Sequence, residues 1–159
     1  MDSMVEIFLN RANNEIMAAE SLKRLSEEQK DKENFKLPSD TTFYSSVISH
    51  SYYAIFYSAK ALLLTKKIKT TSPEVHKRTF MEFKEKFVDT GILDVNLLEI
   101  YSKMMVKADE LLEIFKEEKF KRGHFTYETI PQANKEPATD SLKNSKFFVA
   151  NISKVVKKK

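Results

Sequence analysis

Residues that stop helices or turn strands are scarce in this chain: two glycines (Gly91, Gly123) and four prolines (Pro38, Pro73, Pro131, Pro137) among 159 residues. A sheet-rich domain needs turn residues about every 8–12 positions, so this scarcity predicts a few long helices with few connections. Sandwiches, barrels and dinucleotide-binding folds are excluded, and two isolated glycines cannot build a phosphate-cradling loop. The absence of cysteine removes disulfides, thiolate zinc sites and cysteine nucleophiles together.

Hydrophobic spacing places five main helices in a single domain spanning 1–159. Val5, Leu9, Ala12, Ile16 and Ala19 recur at helical intervals on a first helix over 3–29, with Asp2 or Ser3 as N-cap. After a polar linker closed by Pro38, Ser39 or Asp40 caps a second helix that carries Phe43, Val47, His50, Ala54, Tyr57 and Ala61 and runs to about Thr65. Ser72 with Pro73 at the first helical position starts a third helix bearing His76, Phe80, Phe83 and Phe87 on one face. Asp94 caps a fourth helix with two adjacent apolar stripes, Leu97 to Phe115 and Leu98 to Leu112. The stretch from Lys119 to Gln132 lacks a period and reads as an ordered loop. Ala138, Leu142, Ser145, Val149, Ile152 and Val156 form the stripe of a last helix, with Pro137 tolerated in its first turn. The expected fold is an all-α, up-and-down helical bundle.

No apolar run is long enough to cross a bilayer and the N-terminus lacks a signal-peptide pattern, so a cytoplasmic protein is expected. The formal net charge of +4 permits a polyanionic partner without demanding one. If consecutive helices are antiparallel, Lys66, Lys67, Lys69, Lys119, Lys121 and Arg122 gather at one end of the bundle with His76 and His124. That would make a phosphate-binding end, although a lysine run closing a helix more commonly just complements the helix dipole. No spacing of histidines and carboxylates requires a metal, and no cofactor is implied.

The strongest local signal is the run from His50 to Leu64, HSYYAIFYSAKALLL. Small residues at Ser51, Ala54, Ser58 and Ala61 let another helix approach closely. Tyr52, Tyr53, Phe56 and Tyr57 add large, semi-polar area, either as core or as a dimer or partner face. This helix resembles the signature helix of the HEPN domain family (higher eukaryotes and prokaryotes nucleotide-binding). Further pieces follow in that family's order. Ser72, His76 and Lys77 with Phe83 and Phe87 are similar to its third helix, Arg122 to Tyr127 to its arginine-to-aspartate-tyrosine loop, with Thr126 in place of the aspartate, and Ala138 to Ile152 to its closing helix.

The resemblance implies a helical, homodimeric module that binds nucleotide or RNA and pairs with a minimal nucleotidyltransferase in a toxin-antitoxin-like system. On that reading the lysines and Arg122 meet phosphates and Tyr127 stacks on a base. Ribonuclease members of the family use an arginine followed at a short interval by a histidine. Here Arg122 and His124 are separated by Gly123 alone, a departure from that interval, and Lys119 at the longer spacing supplies a point charge in place of a guanidinium fork. A metal-independent endoribonuclease using Arg122 and His124, assisted by His76, is the alternative. A non-catalytic protein-interaction subunit is the third reading.

Overall fold

The computed structural model describes residues 2–121 and 135–158, with side chains given up to Leu111 in the first stretch. Among them the chain is all-α, in the order α1 (Ser3–Glu27), α2 (Gln29–Asn34), α3 (Tyr44–Leu64), α4 (Val75–Phe83) followed by a wider π turn (Lys84–Val88), α5 (Val95–Lys121) and α6 (Lys135–Lys157).

Helix α3 is the axis. Twelve of its 21 residues are buried, over well more than half of the helix circumference, and the stripe through Ser49, Tyr53, Tyr57, Lys60 and Leu64 is half-buried or exposed. Its polar members are satisfied locally: the buried Ser51 and Ser58 hydroxyls donate to the carbonyls of Val47 (2.7 Å) and Ile55 (2.9 Å). On one side Ala54 meets Ala12 of α1 and Val149 of α6, and these small side chains let three helices approach closely. On the other side Phe83, Phe87, Tyr101 and Phe148 form an aromatic core whose members are all fully buried. Tyr101 meets Phe80 and Phe148 edge to face, with centroids 5.2 and 5.7 Å away.

The four long helices alternate in direction. Phe8 and Glu15 of α1 face Tyr57 and His50 of α3. Lys107 of α5 reaches Ser141 of α6, while Phe147 and Val155 of α6 lie beside the start of α5. The helix starts follow their caps: Asp2 accepts from Met4 N at 2.9 Å and Asp94 accepts from Asn96 N at 2.8 Å.

Several boundaries differ from the sequence expectation. The first helix stops at Glu27, and the charged stretch after it forms the short α2. Neither Ser39 nor Asp40 caps α3; the Phe43 amide instead donates to the buried Ser26 hydroxyl of α1 at 2.7 Å, so a neighbouring helix caps this one. α4 begins at Val75 and not at Pro73, because Glu74 takes a left-handed conformation with φ 57°. Helical backbone also continues through Lys119 to Lys121, where a loop was expected to have begun.

Two helix ends dispense with glycine. Leu37 N–H bonds to Lys32 O and Lys36 N–H to Glu33 O; Ile68 N–H bonds to Leu63 O and Lys67 N–H to Leu64 O. Both are Schellman closures, with Lys36 (φ 55°) and Lys67 (φ 59°) at the left-handed position where glycine is usual. Lys67→Gly is expected to raise unfolding free energy by roughly 0.5–1 kcal/mol, the relief at Cβ exceeding the entropy that glycine adds to the unfolded chain. Phe148→Ala is expected to lower it by about 3–5 kcal/mol. Urea titration monitored by circular dichroism measures both.

Candidate functional site

After α3 ends, the chain does not cross directly to an antiparallel neighbour. Residues 65–74 double back along it: Lys60 Nζ donates to the Thr70 carbonyl at 3.2 Å, and the buried hydroxyls of Thr70 and Thr79 bond at 2.7 Å. Helix α4 therefore starts beside the middle of α3 and runs parallel to it. This return sets His76, in the first turn of α4, over the Tyr52–Phe56 stretch.

The imidazole stacks on Phe56 with centroids 4.2 Å apart and 27° between planes, and meets Tyr53 edge-on at 5.9 Å. Its Nδ1 lies 2.8 Å from the Tyr52 hydroxyl. Burial holds the His76 pKa below its usual value; Lys60 adds to the depression and Asp109 opposes it. Burial pushes the Tyr52 phenol upward, with Tyr53 and Asp109 adding to the effect. Both groups are thus neutral near pH 7. Tyr52 Oη and His76 Nδ1 share one hydrogen bond, and with the phenol as its donor the ring proton lies on Nε2. Around this pair α3, α4 and α5 enclose a cleft of about 300 Å³, lined by Ser49, Tyr52, Tyr53, His76, Met105 and Asp109 among others.

The sequence-predicted residues distribute differently from expectation. His76 is in the cleft. Tyr52 and Phe56 are 6% and 5% exposed, so these two rings of the tyrosine-rich run belong to the interior of the domain and not to a free surface. Tyr57 is half-buried against Phe8 and Arg11 of α1, leaving Tyr53 as the exposed ring of the four. His50 is tied to Glu15 of α1, with Nδ1 2.5 Å from Oε2, and holds two helices together.

The single basic end also fails. Lys66, beyond the end of α3, donates to Lys86 O at 2.9 Å and lies 4.5 Å over Phe87, close to where α5 begins. α5 then runs back past Ser49 and Tyr53 at Met105 to Leu111, carrying Lys119 and Lys121 to the opposite end. Lys67 closes α3, and Lys69 lies in a shallow hollow with Glu74, Lys77 and Arg78. Arg122, His124 and Tyr127 lie outside the described residues.

Asp109 was missed by sequence reasoning. Its signal was positional, one turn after Met105 and next to Ala108 on an apolar stripe. No group of three or more potential metal ligands occurs among the described residues.

Comparison with known proteins now bears on this architecture. The family model of the HEPN domain matches residues 5–155. The chain belongs to the HEPN domain family. Two similar proteins of Methanocaldococcus jannaschii carry toxin names. "Putative toxin MJ0605" is 30% identical over 122 residues, covering 77% of this chain and 78% of that protein. "Putative toxin MJ0142" is 37% identical over 84 residues, half of this chain but only 55% of that protein's length. No helix among the described residues of this HEPN domain is long and apolar enough to cross a membrane.

The depressed His76 pKa carries a pH signature. The unfolded histidine binds its proton near pH 6.5 and the folded one only at lower pH, so stability falls as pH drops through 6.5 toward the folded pKa. His76→Gln should flatten that part of the curve relative to wild type, as read from urea midpoints between about pH 5 and 8.

Proposed function

We propose that this HEPN domain is a nucleotide- or RNA-binding, toxin-like module that works with a minimal nucleotidyltransferase partner, and that its ligand enters the cleft at His76. Family membership and the toxin names of the two relatives support the general class. The observation that carries the site is the fixed state of His76: a neutral ring, stacked on Phe56, with one nitrogen occupied by Tyr52. Its remaining nitrogen is an N–H donor suited to a base acceptor or a phosphate oxygen. The Asp109 carboxylate in the same cleft accepts from base amines or ribose hydroxyls, and the exposed Tyr53 ring offers a stacking surface.

The same tautomer separates binding from catalysis. A general base needs a lone pair free toward the proton it abstracts, and with the Tyr52 phenol as donor the lone pair of His76 is already engaged. The cleft geometry therefore favours a binding module over a ribonuclease that uses His76 as base.

The expected result, by fluorescence anisotropy with a short labelled RNA, is that His76→Ala and Asp109→Asn each weaken binding at least about tenfold. Neutralising Lys66 and Lys67 together should change it less than about twofold. Wild-type affinity in both cleft variants would overturn the assignment. Incubation of RNA with the protein in chelator should give no cleavage; cleavage lost in His124→Ala and kept in His76→Ala would replace this reading with the ribonuclease.

A further inference from the structure

Next to the cleft, two cations rest on the aromatic side chains of the α1–α3 seam. The Arg11 guanidinium sits 5.2 Å above the Tyr57 ring, and Lys60 Nζ sits 5.0 Å above Phe8 and 5.6 Å above Phe56. The rings are continuous with the site: Phe8 stacks on Tyr57 at 6.1 Å, Tyr57 on Tyr53 at 6.1 Å, and Phe56 on His76 at 4.2 Å. A strip of cations and rings thus runs from the third turn of α1 to the first turn of α4, half-buried at Phe8 and Tyr57 and exposed at Tyr53, which meets His76 at 5.9 Å.

No carboxylate among the described residues lies within ion-pair distance of Arg11 or Lys60. Glu15, one turn after Arg11 and the natural partner for it, is engaged by His50. The Lys60 ammonium is partly buried, and both burial and the nearby Arg11 charge weaken its hold on a proton. Ring contacts and the Thr70 carbonyl account for where Lys60 lies, but they do not account for a second cation beside it. Two like charges on a low-dielectric aromatic surface repel, and an anion between them relieves that repulsion.

We infer that Arg11 and Lys60 hold the phosphodiester backbone of a single RNA strand whose base stacks on Tyr53 and whose next nucleotide enters the His76 cleft. This rests on the ligand class proposed above and adds what that reading lacked, a phosphate-binding element and a strand direction across α3. Alternating cations and exposed rings are the arrangement by which proteins follow single strands, with phosphates on the charges and bases on the π faces. A free nucleotide fills the cleft alone and leaves the Arg11 end of the strip empty, so the strip matches a strand.

The test is the salt dependence of binding to a labelled ten-nucleotide single-stranded RNA, using the full chain. Each phosphate contact on a single strand contributes about 0.7 to the slope of log K against log salt. Arg11→Gln/Lys60→Gln should weaken binding at least about tenfold and reduce the slope by about 1.4, while Arg11→Lys/Lys60→Arg keeps the wild-type slope. If the double neutral variant loses its helical circular dichroism, the exposed Arg11→Gln alone should reduce the slope by about 0.7. An unchanged slope in a folded neutral variant overturns the track while leaving the His76 site standing. Competition by adenosine monophosphate or inorganic phosphate at the same molar affinity as the strand also overturns it, in favour of a single-nucleotide site. Wild-type protein that binds neither strand nor nucleotide overturns the proposed function and the track with it.

Discussion

Everything in this molecule is arranged around the burial of one helix over most of its surface. α3 keeps only a narrow partly exposed stripe, through Tyr53, Tyr57 and Lys60, so its neighbours are placed by what the rest of α3 presents to them. Small residues at Ala54, Ser51 and Ser58 allow α1 and α6 to come close, while Tyr52 and Phe56 demand wide, partly polar cover from α4 and α5. A buried phenol without a partner costs about 1–3 kcal/mol, and His76 is what meets the Tyr52 hydroxyl. The site thus begins as the solution to a packing problem.

The same burial sets the chemistry. Desolvation acts on Tyr52 and His76 in opposite senses, raising one pKa and lowering the other, and in both cases it favours the neutral form. A neutral donor at the mouth of an aromatic cleft recognises a ligand by hydrogen-bond direction more than by charge. Charge is supplied separately, by Arg11 and Lys60 on the neighbouring seam, and the two kinds of recognition occupy different elements of the fold.

The helices were legible because their apolar residues recur at helical spacing and because Asp2 and Asp94 are caps by chemistry. The path of residues 65–74 was not. It depends on bonds from Lys60 to Thr70 and from Thr70 to Thr79, which join residues nine and ten positions apart and leave no periodic trace. Missing that return led to a basic end that the direction of α5 dismantles. The end of α3 matched the expected stop near Thr65, but its closure by a left-handed Lys67, like that of α2 by Lys36, was hidden, since lysine carries none of the signal that glycine would. His76 could be picked out as half-buried beside aromatic residues, whereas Asp109 joined it only through tertiary packing. Arg122, His124 and Tyr127 fall outside the described residues, so the loop motif carried by the resemblance stands as the sequence left it.

The return of the chain along α3 also gives the site a stability of its own. α4 has nine residues, fewer than the roughly 12–15 at which an isolated helix begins to hold in water, so it persists only while docked. It is joined to the core through Phe83 below, Phe80 against Tyr101, His76 on Phe56 and Tyr52, and the Thr70–Thr79 pair beside it. Undocking of this one segment would take His76 off Phe56 and Tyr52 while α1, α3, α5 and α6 stay packed, as local opening does in other folds. The free energy that keeps the cleft assembled is consequently separable from the free energy that keeps the domain folded. Amide exchange should register that separation as two protection levels, a lower one over α4 and a higher one along α3.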